Sequence, residues 1–524
     1  MATDPVSLEV FRNLFTSLAE EMGIALGRTA FSPNIKERLD YSCGLFDANG
    51  RMVAQAAHIP VHLGSMPASV EAVLKRFSFK PGDIVMLNDP YMGGTHLPDI
   101  TLVAPVFSVT EEAAVLVGFV ANRGHHADIG GMSPGSLPIS TQLFQEGLII
   151  PPIKLVKRGR INQEVVELLC RNSRTPDERR GDLAAQLAAC RVGERRLKEI
   201  VSRYGWEDTL GHMSALLDYS ERLTRSSISG IPDGWYGGSD YMEGDGLTED
   251  PLLIQVAIRI REDEMDVDFT GTAPQTAGCV NAPLAIALSS VFYVLRCIVG
   301  EQVPANDGLM RPVTVKAPEN SLVNPTAPHA VSGGNVETSQ RIVDVLLTAL
   351  SKALPSVIPA ASQGTMNNLL VGGHNHLQNK PYAYYETIGG GMGARPGKNG
   401  LSGIHTHMTN TMNTPIEALE LQFPFRILRY SLRPDSGGKG AYRGGDGILR
   451  EMEFLGPATV TILSECRRRA PYGLHGGEPG ALGQNVLFRD GEEIFLPAKV
   501  TFRVDEGDIL SMRTPGGGGW GRGQ

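Results

Sequence analysis

The sequence predicts an α+β fold: a large multi-layer structure with mixed β-sheets, a helical insertion around 160–228 and a Gly-rich, strand-rich C-terminal part. Three observations predict it. Short apolar runs separated by Pro, Gly and Asn fill residues 40–119 and return after residue 230, which is typical of strands. Apolar residues at helical spacing interrupt them at 160–228. Glycine supplies 61 of the 524 residues, and its C-terminal clusters alternate with apolar runs, which favours tight turns in an ordered region.

The individual elements follow in chain order. Asp4 and Pro5 have the residue types of an N-cap and a first helical position, and the apolar spacing after them predicts a helix to about Arg28. Further helices are predicted within the strand-rich parts, at 67–77, 283–299 and 340–354. Changes of pattern divide the chain into an N-terminal α+β metal-site region, a helical region, a central α/β region with a substrate-contact cluster and a C-terminal β-rich region, at 1–155, 156–229, 230–425 and 426–524.

The composition excludes several classes of protein. The formal net charge is -9 and no run of Lys or Arg offers a surface for phosphates, which argues against nucleic-acid binding. The longest apolar stretches, such as 113–121, are much shorter than the roughly 18 residues that a membrane span needs. The N-terminus shows no basic segment followed by an apolar core, and the six cysteines are scattered without a C-x-x-C pair. We therefore expect a cytoplasmic protein with reduced thiols and with neither a nucleic-acid nor a membrane partner.

Two short segments, GGTHLPD at 93–99 and NRGHHADIGG at 122–131, carry the strongest chemical signal. The imidazoles and carboxylates that they bring together are His96, Asp99, His125, His126 and Asp128. Borderline divalent metals prefer these ligand types. Proline stiffens the H-x-x-D segment, and both segments lie at the ends of predicted strands, where a rigid scaffold presents side chains. The sequence thus predicts a divalent metal that activates water or polarises a carbonyl.

Two points about the ligands stay open from the residues alone. Adjacent side chains in extended backbone point to opposite faces, so only one of His125 and His126 can ligate easily. A third ligand group comes either from Asp40, just after the first helix, or from Asp89, although Asn-Asp-Pro is also a turn signature. The competing interpretation is that these histidines only form hydrogen bonds in the core.

A second polar segment, GIHTHMTNTMNTP at 403–415, is a candidate for substrate contacts. In a strand its His405, His407 and Thr409 would share one face, a spacing that suits substrate recognition or a second metal but is also common in ordinary strands. Glu386, just before a GGGMG turn, could place a carboxylate among backbone N–H groups.

Two tempting motifs fail on physical grounds. The G-x-S-x-G match at 131–135 has Pro134 after the serine, and proline has no backbone N–H to donate to an oxyanion hole. The segment 393–399 ends in Gly-Lys-Asn, which has neither the spacing nor the hydroxyl of a P-loop. The chain therefore has no recognisable P-loop.

Long motifs spread over essentially the whole chain closely resemble the hydantoinase B family. They are FSPNIKERLDYSCGLFD, NDPYMGGTHLPDITLVAPVF, GFVANRGHHADIGG, VNAPLA, GIHTHMTNTMNTPIEALE and TPGGGGWG. That family includes the smaller subunit of ATP-dependent N-methylhydantoinases, the C-terminal part of 5-oxoprolinases and subunits of acetone and acetophenone carboxylases.

The resemblance implies a division of labour within a hetero-oligomer. A hydantoinase A-like partner binds ATP and Mg and phosphorylates the substrate's carbonyl oxygen, while this chain holds one divalent metal, either Zn, Mn or Fe. The family's ligands fall on Asp40, His96, Asp99 and one histidine of the 125/126 pair, with His125 favoured. From the polar segment and the GGGMG turn of this sequence, the candidate substrate contacts are His405, His407, Asn410 and Glu386. The candidate catalytic residues are His96, Asp99, Glu386 and His407.

The expected function is that of a metal-containing subunit of an ATP-dependent hydrolase of cyclic amides such as hydantoin, N-methylhydantoin or 5-oxoproline. Phosphorylation would remove the amide delocalisation, and metal-bound water would then attack the ring carbon. One alternative is a subunit of an ATP-dependent ketone carboxylase of the acetone or acetophenone type. The chain's length favours the hydrolase over it. The other alternative is a non-catalytic scaffold subunit.

Overall fold

A computed structural model describes residues 4–109, 114–376 and 378–523. The α-helices are α1 (Pro5–Thr29), α2 (Pro33–Lys36), α3 (Ser65–Arg76), α4 (Gln163–Arg171), α5 (Pro176–Tyr204), α6 (Trp206–Ile228), α7 (Leu284–Val299), α8 (Ser339–Leu350) and α9 (Ile416–Gln422). A π-helical segment, Gly334–Thr338, leads directly into α8. A 3₁₀ turn, Pro60–His62, precedes α3.

The strands of the first half are β1 (Tyr41–Asp47), β2 (Met52–Gln55), β3 (Ile84–Leu87), β4 (Asp99–Val109), β5 (Ala114–His125), β6 (Ile153–Lys157), β7 (Arg160–Ile161), β8 (Gly234–Met242), β9 (Leu252–Arg261) and β10 (Glu264–Asp268). Those of the second half are β11 (Val313–Lys316), β12 (Asn368–Asn375), β13 (Lys380–Glu386), β14 (Phe425–Arg433), β15 (Gly447–Phe454), β16 (Ala458–Leu463), β17 (Gln484–Arg489), β18 (Glu492–Leu496), β19 (Lys499–Val504) and β20 (Ile509–Arg513). The prediction of an α+β fold with several sheets is confirmed, and among the described strands the parallel pair is β10 with β11.

A seven-stranded antiparallel sheet in the order β2-β1-β5-β4-β3-β6-β7 forms the N-terminal layer. Helix α1 begins as predicted, because the Asp4 carboxylate accepts the backbone N–H of Ser7 and Pro5 occupies the first turn. Its apolar face, which includes Phe15 and Met22, packs with the sheet and with α5 in one buried cluster. The helical segment 163–228 therefore covers this sheet.

The predicted helices fall close to the observed ones. The helix expected at 67–77 is α3 and that expected at 283–299 is α7, each within two residues at both ends. Helix α8 ends at Leu350, whereas the sequence predicted its end at residue 354, and the chain turns directly after Leu350. The insertion expected from residue 160 opens with the short strand β7 before its first helix.

Two four-stranded sheets are formed by strands from the middle and the C-terminal part of the chain. Strands β8–β11 form a four-stranded sheet against which α8 packs, and the order β13-β12-β16-β19 forms another. The second of these joins residues from either side of the predicted boundary near residue 425. The boundaries between the four sequence regions stay predictions.

The C-terminal glycines bring segments of backbone into close contact with one another. The strands of the same region form a five-stranded sheet in the order β14-β15-β20-β17-β18. The amide of Gly391 donates to Pro515, and that of Gly517 donates to Gly445. A Cβ on Gly391 would lie 2.0 Å from the carbonyl oxygen of Gly445, so only glycine fits there. The prediction of ordered turns agrees with this arrangement. In the described part of the chain, the helices are all too short or too polar to span a bilayer.

Candidate metal centre

The two segments singled out in the sequence meet at the ends of β4 and β5. Asp99 is the first residue of β4 and His125 is the last of β5, and their Cα atoms face each other in the antiparallel register. Directly opposed residues in such a pair place their side chains on the same face of the sheet. His96 reaches the same point from the loop that enters β4.

Three side-chain atoms converge on one buried point. Asp99 Oδ1 lies 3.0 Å from His96 Nε2 and 3.2 Å from His125 Nδ1. All three residues are at most 2% exposed. The ring of His125 stacks on that of Tyr385 at 4.7 Å between centroids, which holds its orientation. In the described residues these three are the group whose spacing could hold a metal ion.

The chemistry of these donor atoms fits a divalent metal. Two ligands held about 2.1 Å from one ion, at angles near 90–110°, lie about 3.0–3.4 Å apart. The separations of Asp99 Oδ1 from His96 Nε2 and from His125 Nδ1 fall in this range. An N/O set of two imidazoles and a carboxylate suits Zn, Mn or Fe.

The protonation of the cluster also favours cation binding. Burial opposes ionisation of Asp99, but the charge interaction with His96 and hydrogen bonds from His125 and His62 hold the pKa of its carboxyl well below the usual value. Burial lowers the pKa of His125 and of His62. The site thus combines an ionised carboxylate at Asp99 with imidazoles at His125 and His62 whose neutral form is favoured, and these are the forms in which such groups bind metals.

His62 and Asn335 contact the cluster but were missed in the sequence. His62 Nε2 lies 3.4 Å from Asp99 Oδ2, and its Nδ1 lies 2.9 Å from Ser42 Oγ. Asn335 Nδ2 lies 3.1 Å from His96 Nε2. His62 ends a PVH turn and Asn335 sits in a GGN segment, and neither pattern has a spacing that marks a ligand. Only the fold brings them to the strand ends.

His126 and Asp128 serve the surrounding structure instead. His126 Nε2 lies 2.9 Å from Gln186 Oε1 in α5, and burial with the nearby Arg179 charge lowers its pKa to about 4. The Asp128 carboxylate accepts the amides of Gly130 and Arg174 and pairs with the Arg174 guanidinium at 2.9 Å. Of the two adjacent histidines, the one that meets Asp99 is His125.

The two carboxylates left open in the sequence have different surroundings. Asp40 lies beside the cluster and pairs with the fully buried Arg38 at 3.8 Å. Asp89 caps a turn, with Oδ1 accepting the amide of Tyr91 at 2.9 Å. Asp40 therefore remains the candidate fourth ligand.

A cavity of about 20 Å³ adjoins the cluster. The apolar residues that line it are Ile59, Val61, Val336, Met366 and Met408. The polar residues that line it are Asp40, His62, His96, Asp99, His125, Asn335, Tyr385, Thr387, Thr409 and Thr411. This volume holds about one water molecule, so a larger ligand requires that a wall move.

The predicted substrate residues lie outside this wall. His407 Nε2 faces Asp344 Oδ1 at 3.3 Å, and Asn410 is exposed with Nδ2 donating to the His58 carbonyl. Glu386 is fully buried and pairs with Arg450 at 2.7 Å. For His405, burial and then the charge of Arg38 lower the pKa to about 4. The segment instead contributes Met408, Thr409 and Thr411 to the cavity.

The fold and the cluster together define an α+β protein with a buried imidazole–carboxylate centre at the ends of two antiparallel strands. Residues 4–523 match the family model described as hydantoinase B/oxoprolinase, so the chain belongs to that family. The sequence is 42% identical to 5-oxoprolinase 1 of Arabidopsis thaliana over 99% of this chain and 42% of the plant protein. It is 33% identical to a putative D-/L-hydantoinase subunit of Pseudomonas sp. (strain NS671), over 99% of this chain and 90% of that one.

Two solved structures share the fold. The ATP-dependent caprolactamase from Pseudomonas jessenii superposes with a TM-score of 0.92 at 31% identity, covering 100% of this chain and 92% of that chain. An acetone carboxylase structure superposes with a TM-score of 0.89 over 99% of this chain and 76% of that one, and at 19% identity it shows the fold alone. This chain spans about two fifths of the plant 5-oxoprolinase that it matches.

Proposed function

We propose that this chain is the metal-containing component of an ATP-dependent hydrolase of cyclic amides such as hydantoins, 5-oxoproline or related lactams. Relatives named as a 5-oxoprolinase and as a hydantoinase subunit, together with the caprolactamase structure, support this substrate class. The observation that carries the proposal is the convergence of His96 Nε2, Asp99 Oδ1 and His125 Nδ1 on one buried point.

His96, Asp99 and His125 would hold the metal, with Asp40 as the fourth ligand. A divalent metal there supplies Lewis-acid polarisation of an oxygen and a lowered pKa for water. The chain's own residues supply the surroundings. Tyr385 fixes the His125 ring, and Thr387, Thr409 and Thr411 bring hydroxyl groups to the lining of the cavity. The apolar residues of the lining limit access of bulk water, which strengthens electrostatic interactions inside.

Activation of the amide is assigned to a partner protein that binds ATP and Mg. The Pseudomonas relative is named as one subunit of a hydantoinase, which supports a partner, and so does the match of this chain to only part of the plant 5-oxoprolinase. The amide carbonyl is a poor electrophile because the nitrogen lone pair is delocalised into it, and phosphorylation of its oxygen removes that delocalisation. We expect the isolated chain to be inactive without its partner. We expect the complex of the two proteins to be located in the cytoplasm.

Elemental analysis of the purified chain, beside the His96→Ala/Asp99→Ala double variant, tests the metal. We expect about one Zn, Mn or Fe per chain in the wild type and none in the variant. Wild-type protein that stays metal-free after purification without chelator and after incubation with each ion would refute the metal site. The same wild-type protein, mixed with a hydantoinase A-like partner and ATP, should open a hydantoin or 5-oxoproline ring.

Two alternatives give different results in the same assays. A ketone carboxylase would incorporate labelled bicarbonate into acetone or acetophenone and leave cyclic amides intact. A scaffold subunit would lose its fold or its partner when His96 is changed. A His96→Ala variant that keeps its circular dichroism and its complex on gel filtration, but not its turnover, excludes the scaffold.

A further inference from the structure

We propose that Asn335 is an additional ligand of the metal proposed above, through its side-chain oxygen. The inference rests on that metal site and adds to it a residue from a different part of the chain. Asn335 is 4% exposed, lines the cavity and comes within 3.1 Å of a candidate ligand atom, His96 Nε2.

The hydrogen bonds around His96 Nε2 conflict when the amide nitrogen of Asn335 faces it. The atom has Asp99 Oδ1 at 3.0 Å and Asn335 Nδ2 at 3.1 Å. If Nε2 carries a proton, it donates to Asp99 and faces a second donor, the amide of Asn335. If it carries a lone pair, it accepts from Asn335 and faces the carboxylate. With the amide in this orientation, neither arrangement satisfies both contacts, and with the amide reversed a single Nε2 proton would be shared between two acceptors.

A cation at this point would satisfy all three groups in full. The lone pairs of His96 Nε2 and Asp99 Oδ1 can both point at it. The two ends of a carboxamide have nearly the same shape, so a half-turn of the Asn335 amide puts its oxygen where Nδ2 lies. That oxygen, Oδ1, is buried and has no hydrogen-bond partner as it stands. A buried acceptor without a partner is costly, and a cation would satisfy it.

The backbone that carries Asn335 is irregular and held firmly. Residues 334–338 form a π-helical turn, a feature often found at functional sites because it redirects side chains. A Cβ on Gly334 would lie 1.8 Å from the Asn281 carbonyl oxygen, so the turn requires glycine there. The Asn335 carbonyl accepts from Ser339 Oγ at 2.7 Å, and Glu337 accepts the amide of Met366. The carboxamide is therefore presented on a preorganised support.

Binding of Co²⁺ to the full-length chain tests the inference, because the visible spectrum of Co²⁺ reports its coordination. We expect Asn335→Leu to weaken Co²⁺ binding by about 10- to 100-fold in competition with a chelator and to change the visible bands. Asn335→Asp, which keeps an oxygen in place, should retain the affinity and a spectrum close to that of the wild type. The matched control is Asn306→Leu. Asn306 is a fully buried asparagine whose amide contacts Leu216 in α6, and its loss should cost stability without changing Co²⁺ binding.

Three outcomes contradict the inference. Unchanged affinity and spectrum in Asn335→Leu would show that the amide does not meet the metal. Weaker binding with an unchanged spectrum would make Asn335 a positioning residue that acts through His96. A loss of binding in Asn306→Leu equal to that in Asn335→Leu would trace the effect to damage of the fold. Wild-type protein that binds no Co²⁺ refutes the metal site itself, which is a different failure.

Discussion

His126 Nε2 lies 2.9 Å from Gln186 Oε1 in α5, whereas Nδ1 of its neighbour His125 lies 3.2 Å from Asp99 Oδ1. Two successive imidazoles thus serve different parts of the molecule. One joins the helical layer to the N-terminal sheet, and the other belongs to the candidate metal centre.

This difference predicts opposite results for two neighbouring substitutions. We expect His125→Ala to lose the metal, because it removes one of the three converging donor atoms. His126→Ala should keep about one metal per chain but lower the free energy of unfolding by about 1–3 kcal/mol, since it leaves a buried amide oxygen unpaired. Elemental analysis and urea unfolding measure the two effects. Equal metal contents in the two variants would contradict the assignment of His125.

Removal of the charge of Arg38 should greatly lower the free energy of unfolding. Its guanidinium is fully buried, donates to Tyr385 and Thr387, and lies 3.8 Å from Asp40. In protein freed of metal with a chelator, Arg38→Met would leave the buried carboxylate of Asp40 without a charge partner, and we expect the free energy of unfolding in chemical denaturation to fall by about 3–5 kcal/mol. The control, Arg426→Met, breaks a pair whose arginine side chain is 59% exposed and should cost less than about 1 kcal/mol. Similar losses in the two variants would refute this reasoning.

Glu146 predicts a pH dependence of stability. It is fully buried, and burial raises the pKa of its carboxyl to about 7, although Ser140 and the amides of Val331 and Ser332 hydrogen bond to it. The native state keeps this proton above the pH at which the unfolded chain loses it. The free energy of unfolding should therefore fall by about 3 kcal/mol as the pH rises from about 4.5 to about 7, and this contribution should be constant above that range.

The Glu146→Gln variant lacks this titration but keeps an acceptor oxygen. Urea unfolding of both proteins between pH 5 and 8 should show the wild type losing stability relative to the variant as the pH rises. A constant difference across that range would mean that the carboxyl titrates normally.

The glycine contacts predict a contrast between two Gly→Ala changes. A Cβ on Gly517 would lie 2.1 Å from the Met392 carbonyl oxygen, so Gly517→Ala should cost about 3 kcal/mol or more through overpacking. Gly211, in α6, has nothing within 4 Å of its added Cβ. Gly211→Ala should instead stabilise the protein by about 0.5–1 kcal/mol, because alanine favours the helix. Calorimetric unfolding temperatures that move in the same direction would contradict this.

Much of the fold and part of the site could be predicted from local patterns. Asp4 and Pro5 indicate the start of α1, and the periodicity at 283–299 indicates α7, because caps and apolar spacing are properties of a short segment. His96 and Asp99 stood out since they lie three residues apart beside a strand. The pairing of β12 with β16 joins residues about ninety positions apart, and no local signal specifies it.

The second polar segment shows why a pattern alone is insufficient for the rest of the site. The strand that would have put His405, His407 and Thr409 on one face is absent there, and His407 adopts a left-handed φ of 57°. His407 instead pairs with Asp344, while Thr409 lines the cavity. Whether His405, His407, Asn410 and Glu386 contact substrate stays a prediction.

The position of β20 has a consequence for synthesis of the chain on the ribosome. Strand β20 lies between β15 and β17, so the middle of the C-terminal sheet is made after both of its neighbours. Until residues 509–513 leave the exit tunnel, β15 and β17 have unpaired edges that invite pairing with other chains. The glycine segment after β20, which closes onto Gly391 and Gly445, is made later still. We therefore expect the strands of the C-terminal sheet to be prone to aggregation during translation, and chaperone binding in that interval would protect them.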